Sequence, residues 1–219
     1  MNALDDPKVL RVLEREHKLS IGDTERLANQ RGEIDAAKAA GTFSYDLYPK
    51  DVYLAIEPVM GHFLNLCARS IGAKRIVEFG TSFGISTIYL AAAMRETGGR
   101  VIGSELEPSK AEKAQANLEE AGLSDFVEIR VGDALETLGD MEGPVDLLFL
   151  DGWKDLYVPV TKMMEAHMRT GGLVLADNIH TFPAEIQEYV DYMGNADGPF
   201  HSVTLPFESG LHYSLYRGN

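Results

Sequence analysis

Hydrophobic positions along this chain follow two different spacings. Up to Gly72 they recur every three to four positions, which predicts helices over 8–19 and 24–41 and a third helix that ends near Gly72. From Lys74 onward, short apolar runs alternate with segments of helical spacing. The pattern predicts a single domain in which an N-terminal helical cap, 1–72, accompanies an α/β core, 73–219.

The core is predicted to contain five strands separated by helices. The strands cover 75–80, 100–105, 126–133, 145–151 and 173–178. The helices cover 84–99, 108–122, 155–172 and 184–194, with a short helix between the third and fourth strands. Such alternation is typical of a parallel, doubly wound sheet with helices on both faces. Two alternating segments around Glu208-Ser209-Gly210 predict an antiparallel hairpin at one edge, so we expect an α/β fold with seven strands.

Composition and charge restrict the partners. The formal net charge is -14, and such a surface repels phosphate backbones and anionic membranes, which disfavours nucleic acid and membrane partners. The N-terminus lacks an apolar signal segment, and no apolar run approaches the roughly 18 residues of a membrane span, so we expect a cytoplasmic protein. The single cysteine, Cys67, allows no internal disulfide and lies in an apolar pattern that predicts a buried thiol.

A glycine turn follows the first predicted strand. Gly80 allows the tight turn, and Gly84 opens the next helix. A dinucleotide site has the pattern G-x-G-x-x-G, but Ser82 and Ile85 stand here at the second and third glycine positions. A pyrophosphate cradle, and with it a nicotinamide dehydrogenase, is therefore disfavoured.

Two acidic residues follow the next two strands. Glu105 ends the second strand, where a carboxylate can accept both hydroxyls of a ribose. Asp133 follows the third strand, where it either contacts an adenine amino group or caps the next helix. These positions predict a nucleoside pocket without a phosphate grip, which is what S-adenosylmethionine requires.

Polar side chains also end the fourth and fifth strands. Asp151 ends the fourth strand, and Asp177 and Asn178 end the fifth. Neighbouring strand ends bring these side chains together, and two carboxylates with an amide oxygen suit Mg²⁺, Mn²⁺ or Ca²⁺. Each of these residues also has an ordinary structural role as an alternative to metal binding. Asp177-Asn178 could form a turn, and Asp151 could cap a helix. Their coincidence at two strand ends beside a nucleoside pocket favours a divalent metal site.

The loop after the fourth strand carries a lysine and the only tryptophan. Lys154 follows Asp151 by three residues, and a neighbouring dication and sulfonium should lower its pKa. A lysine with a lowered pKa can take a proton from a phenol. Trp153 either walls the substrate pocket or packs as an ordinary hydrophobic side chain. Asp155 and Tyr157 are expected to begin the next helix and pack, with the alternative that Asp155 holds Lys154 in place.

From about Ile56 to the C-terminus the chain resembles the class I S-adenosylmethionine-dependent methyltransferases. Within them it is similar to the cation-dependent O-methyltransferases of the catechol and caffeoyl-CoA type. The segments that carry this resemblance are VEFGTSFGIST (77–87), LFLDGWKDLYVP (148–159) and LVLADN (173–178). The segment LDGWKDLYVP (150–159) is especially close to the corresponding loop of the catechol enzyme.

The resemblance implies a Rossmann-like sheet and transfer of a methyl group to one hydroxyl of a catechol-like vicinal diol. It assigns Asp151, Asp177 and Asn178 to the metal, Lys154 to the general base, and Trp153, Lys154 and Asn178 to the substrate. The residues that it implies for the cofactor are Ile56, Glu78, Gly80, Thr81, Ser86, Glu105, Leu106, Asp133, Ala134 and Asp151.

The resemblance has one departure and leaves alternatives. The animal catechol enzyme has a hairpin glutamate that contacts the second hydroxyl, and by direct alignment no residue here matches it. Glu208 is either its substitute or an exposed turn residue. Alternative substrates are a caffeoyl-CoA-like ester and a hydroxylated tRNA base. The alternative to an enzyme is an inactive module that binds S-adenosylmethionine. The charge disfavours tRNA, and the presence of both aspartates, Lys154 and Asn178 favours an active enzyme. Relatives of the caffeoyl-CoA type are often dimers and the animal catechol enzyme acts as a monomer, so the oligomeric state stays open.

Overall fold

A computed structural model describes residues 2–218, apart from the side chains at positions 24, 29 and 46. Within this range the strands are β1 Arg75–Phe79, β2 Arg100–Glu105, β3 Val127–Val131, β4 Val145–Leu150, β5 Met168–Ala176, β6 Phe200–Leu205 and β7 Leu211–Tyr216. They form one sheet in the order β3-β2-β1-β4-β5-β7-β6. The first five strands are parallel, and β7 runs antiparallel to both β5 and β6. The predicted seven-stranded sheet with an edge hairpin is confirmed.

Helices cover both faces of the sheet, as predicted. The α-helices in the described residues are α1 Pro7–Ser20, α2 Asp23–Ala39, α3 Pro58–Ser70, α4 Ile85–Thr97, α5 Pro108–Ala121, α6 Ala134–Thr137, α7 Tyr157–Glu165 and α8 Gln187–Met193. One core lies between the sheet and α1, α3, α4 and α5, and the other lies between the sheet and α6, α7 and α8. None of these helices has the length and apolarity that a bilayer crossing needs. The Cys67 thiol on α3 is buried as predicted, and burial raises its pKa to about 11.

Strand β4 is a hydrophobic run that is followed by polar residues at the edge of the sheet. All six of its residues are buried, and alternate side chains enter opposite cores. Leu147 and Phe149 face the α3 and α4 side, whereas Leu148 and Leu150 face the α7 side. Complete burial of each such side chain contributes roughly 1.5–3 kcal/mol. A strand held this firmly on both faces is a rigid support for the residue that follows it.

The prediction of a helix over 155–172 is wrong at its C-terminal end. Helix α7 ends at Glu165, and β5 begins at Met168, five residues before the predicted strand start. The two glycines interpreted as a helix stop lie inside the strand, where Gly171 has a φ of 78°. The register between β4 and β5 shifts near this point, and glycine tolerates the positive φ that such an irregularity requires.

A partly buried ion pair holds the early start of β5. Arg169 on β5 pairs with Asp146, the single polar residue of β4. The other Asp146 oxygen accepts the backbone N–H groups of Lys74 and Arg75 at 2.7 and 2.8 Å. The hydrogen bonds and the ion pair favour the charged carboxylate and lower the pKa of Asp146, although burial opposes them. This pairing between distant residues outweighs the spacing that predicted a helix over 166–172.

Candidate active site

The carboxyl ends of three neighbouring strands form the site. The Asp151 N–H donates to the Phe79 carbonyl at 2.9 Å, and the Asp177 N–H donates to the Leu150 carbonyl at 3.0 Å. These bonds extend the β1–β4 and β4–β5 ladders by one residue each. The two aspartates predicted to share a site therefore leave adjacent strands at the same edge.

Two glycines let the first strand's turn approach the fourth strand. A Cβ at Gly80 would lie 2.7 Å from backbone atoms of Asp151 and Gly152, and Gly80 has a φ of 98°. A Cβ at Gly152 would lie 2.5 Å from the Phe79 ring. Only residues without a side chain allow this distance, so the glycines bring the turn that is predicted to bind the nucleoside against the carboxylates.

Glu105 is held in place by the backbone. Its Oε2 accepts the N–H of Ser82 at 2.7 Å, and its Oε1 accepts the N–H of Glu107 at 2.8 Å. Each carboxylate oxygen has a further lone pair for another donor. The chemistry and the fixed orientation fit the predicted acceptor of two ribose hydroxyls.

Glu78 lies at the centre of a buried cluster below the glycine turn. It is fully buried and accepts hydroxyl hydrogen bonds from Thr81 at 3.2 Å, Ser86 at 2.7 Å and Thr87 at 2.5 Å. Burial raises the pKa of Glu78 to about 7, and the three hydroxyls oppose this rise. Glu78, Thr81 and Ser86 therefore support the turn from beneath, and their direct contact with a cofactor stays a prediction.

The other predicted cofactor residues occupy different environments. Asp133 caps α6, because its Oδ1 accepts the Leu135 N–H at 2.8 Å, so the capping alternative is observed. Ala134 is buried behind it, and Leu106 after β2 is 43% exposed. Contact of Asp133 with an adenine stays a prediction.

An open cavity of about 490 Å³ lies beside the end of β5. Its lining includes Ile56, Glu57, Asp177, Asn178, Glu208 and Ser209. Glu208 is exposed, as the turn interpretation expected, and it also faces this cavity. Glu57 was not predicted, and burial together with hydrogen bonding and repulsion from Glu208 raises its pKa.

The two aspartates form an electrically unbalanced pair. Burial and repulsion from Asp177 raise the pKa of Asp151 well above its usual range, and burial also raises the pKa of Asp177. Lys154 Nζ lies 3.8 Å from Asp151 Oδ1, and its charge opposes the rise in pKa of both acids without cancelling it. Bound positive charge would favour the ionised form of both acids.

The donor set fits a hard dication. Ser209 Oγ donates to Asp177 Oδ1 at 2.5 Å, and Asn178 Nδ2 contacts Asp177 Oδ2 at 3.3 Å. Carboxylate and amide oxygens are the ligands that Mg²⁺, Mn²⁺ and Ca²⁺ prefer. Within 2–218 no three His, Cys, Asp or Glu side chains converge on a common point. The predicted set of Asp151, Asp177 and Asn178 has only two acids, so its role as a metal site stays a prediction.

Lys154 begins a short 3-10 turn, Lys154–Leu156, and its side chain folds back over the site. Its amine donates to the Gly152 carbonyl at 2.9 Å and to the Tyr157 hydroxyl at 2.8 Å. Burial lowers the pKa of Lys154, whereas Asp151 and Asp177 oppose this change. Bound cations were expected to lower the pKa of Lys154, and burial is a separate cause of the same change.

Sequence reasoning missed the contact between Tyr157 and Lys154, and the alternative that Asp155 holds Lys154 is wrong. Asp155, considered as an anchor for Lys154, accepts the Tyr45 hydroxyl at 3.0 Å instead. Tyr157, predicted only to pack, holds the lysine. The one available signal was spacing, because a residue three positions after Lys154 lies on the same side of a helical turn.

Trp153 packs in an aromatic cluster. Its indole stacks on Tyr45 with 4.5 Å between ring centroids and meets Tyr48 edge-on at 4.6 Å. Phe43 completes the cluster at 6.3 Å. The packing alternative is therefore observed, and a contact between Trp153 and substrate stays a prediction.

Comparisons with known proteins agree with this arrangement. Residues 77–179 match a family model described as a methyltransferase domain. The chain is 37% identical over 160 residues to a catechol O-methyltransferase of Mycobacterium tuberculosis, an alignment that covers 73% of this chain and 67% of that protein. It is 38% identical over 130 residues to a catechol O-methyltransferase of Niastella koreensis, with 58% of each covered. The chain thus spans 58% to 67% of the length of these two curated relatives.

Solved structures show the same likeness. The O-methyltransferase TomG of Streptomyces achromogenes, solved in complex with SAM, is 30% identical with a TM-score of 0.68, and 75% of this chain and 82% of that chain are covered. An O-methyltransferase of Bacillus cereus, solved in complex with SAH, is 25% identical with a TM-score of 0.69, and 86% and 91% are covered.

Proposed function

This chain belongs to the class I S-adenosylmethionine-dependent O-methyltransferases, the family of the catechol and caffeoyl-CoA enzymes, and we propose that it methylates one hydroxyl of a catechol-like vicinal aromatic diol with the help of a divalent cation. One observation carries the proposal. Lys154 Nζ lies 3.8 Å from the Asp151 carboxylate. The buried Asp177 and the backbone-held Glu105, the proposed ribose acceptor, lie at the same edge of the sheet. The residues proposed as base, metal ligands and ribose acceptor thus lie on neighbouring strand ends.

The cofactor would bind to residues that are already oriented, as the backbone hydrogen bonds of Glu105 show. Glu105 would accept the ribose hydroxyls, and the turn at Gly80 would let backbone approach the ligand closely. The remaining predicted cofactor residues, from Ile56 to Ala134, would line or support this pocket. Bound S-adenosylmethionine supplies the methyl group and leaves as a neutral thioether.

Asp151, Asp177 and Asn178 would hold the dication. A dication there supplies Lewis-acid stabilisation of an ionised hydroxyl. Three protein ligands would leave room on such a dication for oxygens of the substrate. Ser209 keeps the Asp177 carboxylate in one orientation through its 2.5 Å hydrogen bond.

Lys154 would act as the general base. Its neutral amine takes the proton of the reacting hydroxyl and becomes an ammonium, while the electron pair of the broken O–H bond stays on oxygen. Burial supports this assignment because it lowers the pKa of Lys154 and so makes the neutral amine easier to form. The nearby Asp151 carboxylate then stabilises the ammonium. Trp153 and Asn178 would complete the substrate side.

The charge of the chain supports a small substrate. Glu57 and Glu208 line the cavity beside Asp177, and the whole chain has a net charge of -14. Both features repel polyanions, which disfavours a CoA ester and a tRNA relative to a small diol.

The single buried cysteine is consistent with the proposed cytoplasmic location. Sedimentation would decide between the monomer and the proposed homodimer.

A matched pair of substrates tests the proposal. Caffeic acid has two adjacent hydroxyls, whereas p-coumaric acid has one. With Mg²⁺, caffeic acid should give mostly one mono-methyl ether by mass spectrometry, p-coumaric acid should stay unmodified, and excess chelator should stop the reaction. Comparable rates on both substrates would rule out recognition of a vicinal diol.

A further inference from the structure

The amine of Lys154 is held by two neutral oxygens. Nζ donates to the Gly152 carbonyl at 2.9 Å and to the Tyr157 hydroxyl at 2.8 Å. The Asp151 carboxylate, at 3.8 Å, lies beyond hydrogen-bond distance. The orientation of the amine therefore depends on a backbone carbonyl and on Tyr157.

The Tyr157 oxygen can only accept from Lys154. Tyr157 is fully buried, and its hydroxyl donates to the Leu150 carbonyl at 2.9 Å, with the Asp177 carbonyl as a more distant acceptor at 3.3 Å. A phenol has one proton, and both acceptors of that proton are backbone carbonyls at the ends of β4 and β5. The lone pair that remains on the oxygen is the acceptor for the lysine.

Packing makes this acceptor rigid. Tyr157 is the first residue of α7, and its ring meets Phe79 at 6.3 Å and Tyr189 at 5.5 Å, both nearly perpendicular. A lysine side chain has four flexible torsions, so without fixed acceptors its amine would sample many orientations. A general base works efficiently only when it is oriented toward the proton that it removes.

Hydrogen-bond counting leads to a role for Tyr157. A neutral amine has two N–H groups and one lone pair, and an ammonium has three N–H groups. Gly152 and Tyr157 accept two N–H groups and leave one direction of the nitrogen for the reacting hydroxyl. We propose that Tyr157 is a positioning residue that fixes the rotation of the Lys154 amine, so that its lone pair is available to the substrate. This inference rests on the proposed role of Lys154 as base.

The first test is Tyr157→Phe in the full-length chain. This change removes the acceptor and keeps the ring, so kcat on catechol should fall by roughly ten- to a hundredfold. KM for catechol and the calorimetric affinity for S-adenosylhomocysteine should stay unchanged. The matched control is Tyr189→Phe, which removes a hydroxyl from the neighbouring buried ring and leaves the lysine contacts in place. It should keep a near-normal kcat.

A more acidic substrate separates positioning from general support of the structure. 4-Nitrocatechol ionises more readily than catechol and needs less help from a base. The loss in Tyr157→Phe should therefore shrink on 4-nitrocatechol, as it should in Lys154→Met. Equal losses on both substrates would overturn the proposal, because a purely structural defect does not depend on substrate acidity.

A double-mutant cycle distinguishes this inference from the proposed function. In a Lys154→Met background, adding Tyr157→Phe should cause no further loss, whereas multiplying losses would overturn the role of Tyr157. Full activity of Lys154→Met would refute the proposed base itself. A defective Lys154→Met beside a normal Tyr157→Phe would refute only the positioning role.

A second variant keeps the proposal testable if Tyr157→Phe fails to fold. Site-specific 3-fluorotyrosine at position 157 keeps the shape of the side chain and weakens its oxygen as an acceptor. It should give a smaller loss of kcat on catechol and none on 4-nitrocatechol. Unchanged kcat on catechol would overturn the proposal.

Discussion

The N–H of Asp151 donates to the carbonyl of Phe79 at 2.9 Å, and this bond joins the ends of β1 and β4. Phe79 leads into the turn at Gly80, and Asp151 leads into the loop with Lys154. The proposed cofactor side and the proposed substrate side of the site therefore share one rigid edge. The closeness of the two backbones there leaves no space for a side chain at Gly80.

Gly80→Ala should destabilise the protein more than a matched change elsewhere. Gly122→Ala is the control, because Gly122 also has a positive φ but a Cβ there meets open space. An L-residue in the left-handed region costs roughly 1–2 kcal/mol, and overpacking typically adds about 1–3 kcal/mol. Urea unfolding should show the larger loss for Gly80→Ala. Equal losses would show that the strand ends can move apart.

Glu105→Ala should weaken cofactor binding. It removes the predicted ribose acceptor, and hydrogen bonds to a charged group contribute roughly 1.5–3 kcal/mol each. Calorimetry with S-adenosylhomocysteine measures the loss. Glu107→Gln is the control, since this neighbouring acid caps α5 and pairs with Lys50. Unchanged affinity in Glu105→Ala would place the nucleoside elsewhere.

Asp177→Ala should abolish turnover and leave cofactor binding nearly normal. The wild-type enzyme should stop in excess chelator and recover with Mg²⁺ or Mn²⁺, because the carboxylate is a predicted metal ligand. Electron paramagnetic resonance of Mn²⁺ should show weaker binding to the variant. The exposed Asp191 on α8 offers a control, Asp191→Ala, with normal binding expected. Full activity of the wild type in chelator would contradict the metal site.

Lys154→Arg should fail as Lys154→Ala does. Arginine keeps the positive charge but does not give up its proton, and loss of a general base costs roughly 10²–10⁴-fold in rate. In Lys154→Ala the deficit should shrink at high pH, because hydroxide then ionises the phenol without the amine. Rates measured across pH by product mass spectrometry check this. If Lys154→Arg keeps wild-type turnover at neutral pH, residue 154 serves only as a fixed positive charge and not as the base.

Glu78 should make stability depend on pH. Burial raises its pKa from 4.5 to about 7, so the folded protein holds this proton more tightly than the unfolded chain does. Its stabilising contribution is full below about pH 4.5 and is lost as pH rises through about 7. The difference is at most roughly 3 kcal/mol, from 1.36 kcal/mol per pKa unit. Urea unfolding from pH 5 to 8 should show a smaller decline in Glu78→Gln than in the wild type. Parallel declines would contradict the prediction.

Local sequence pattern was enough to predict the sheet and the positions of the candidate ligands. The apolar run of β4 predicts a strand buried on both faces, because alternate residues of a strand point to opposite sides. Parallel strands end at a common edge, which is why Asp151 and Asp177 could be placed together before the fold was known. Glu105 follows from the same rule, since it ends the strand next to β1.

Contacts between distant residues decided what the pattern left open. The start of β5 depends on Arg169 reaching Asp146, so the helical spacing before it was misleading. Asp155 turns to Tyr45, 110 positions away in the chain, and Lys154 turns to Tyr157 instead. Periodicity reports which face of an element is buried, because burial repeats with the backbone geometry. It does not report which partner a polar side chain meets there, because that choice depends on how separate elements pack.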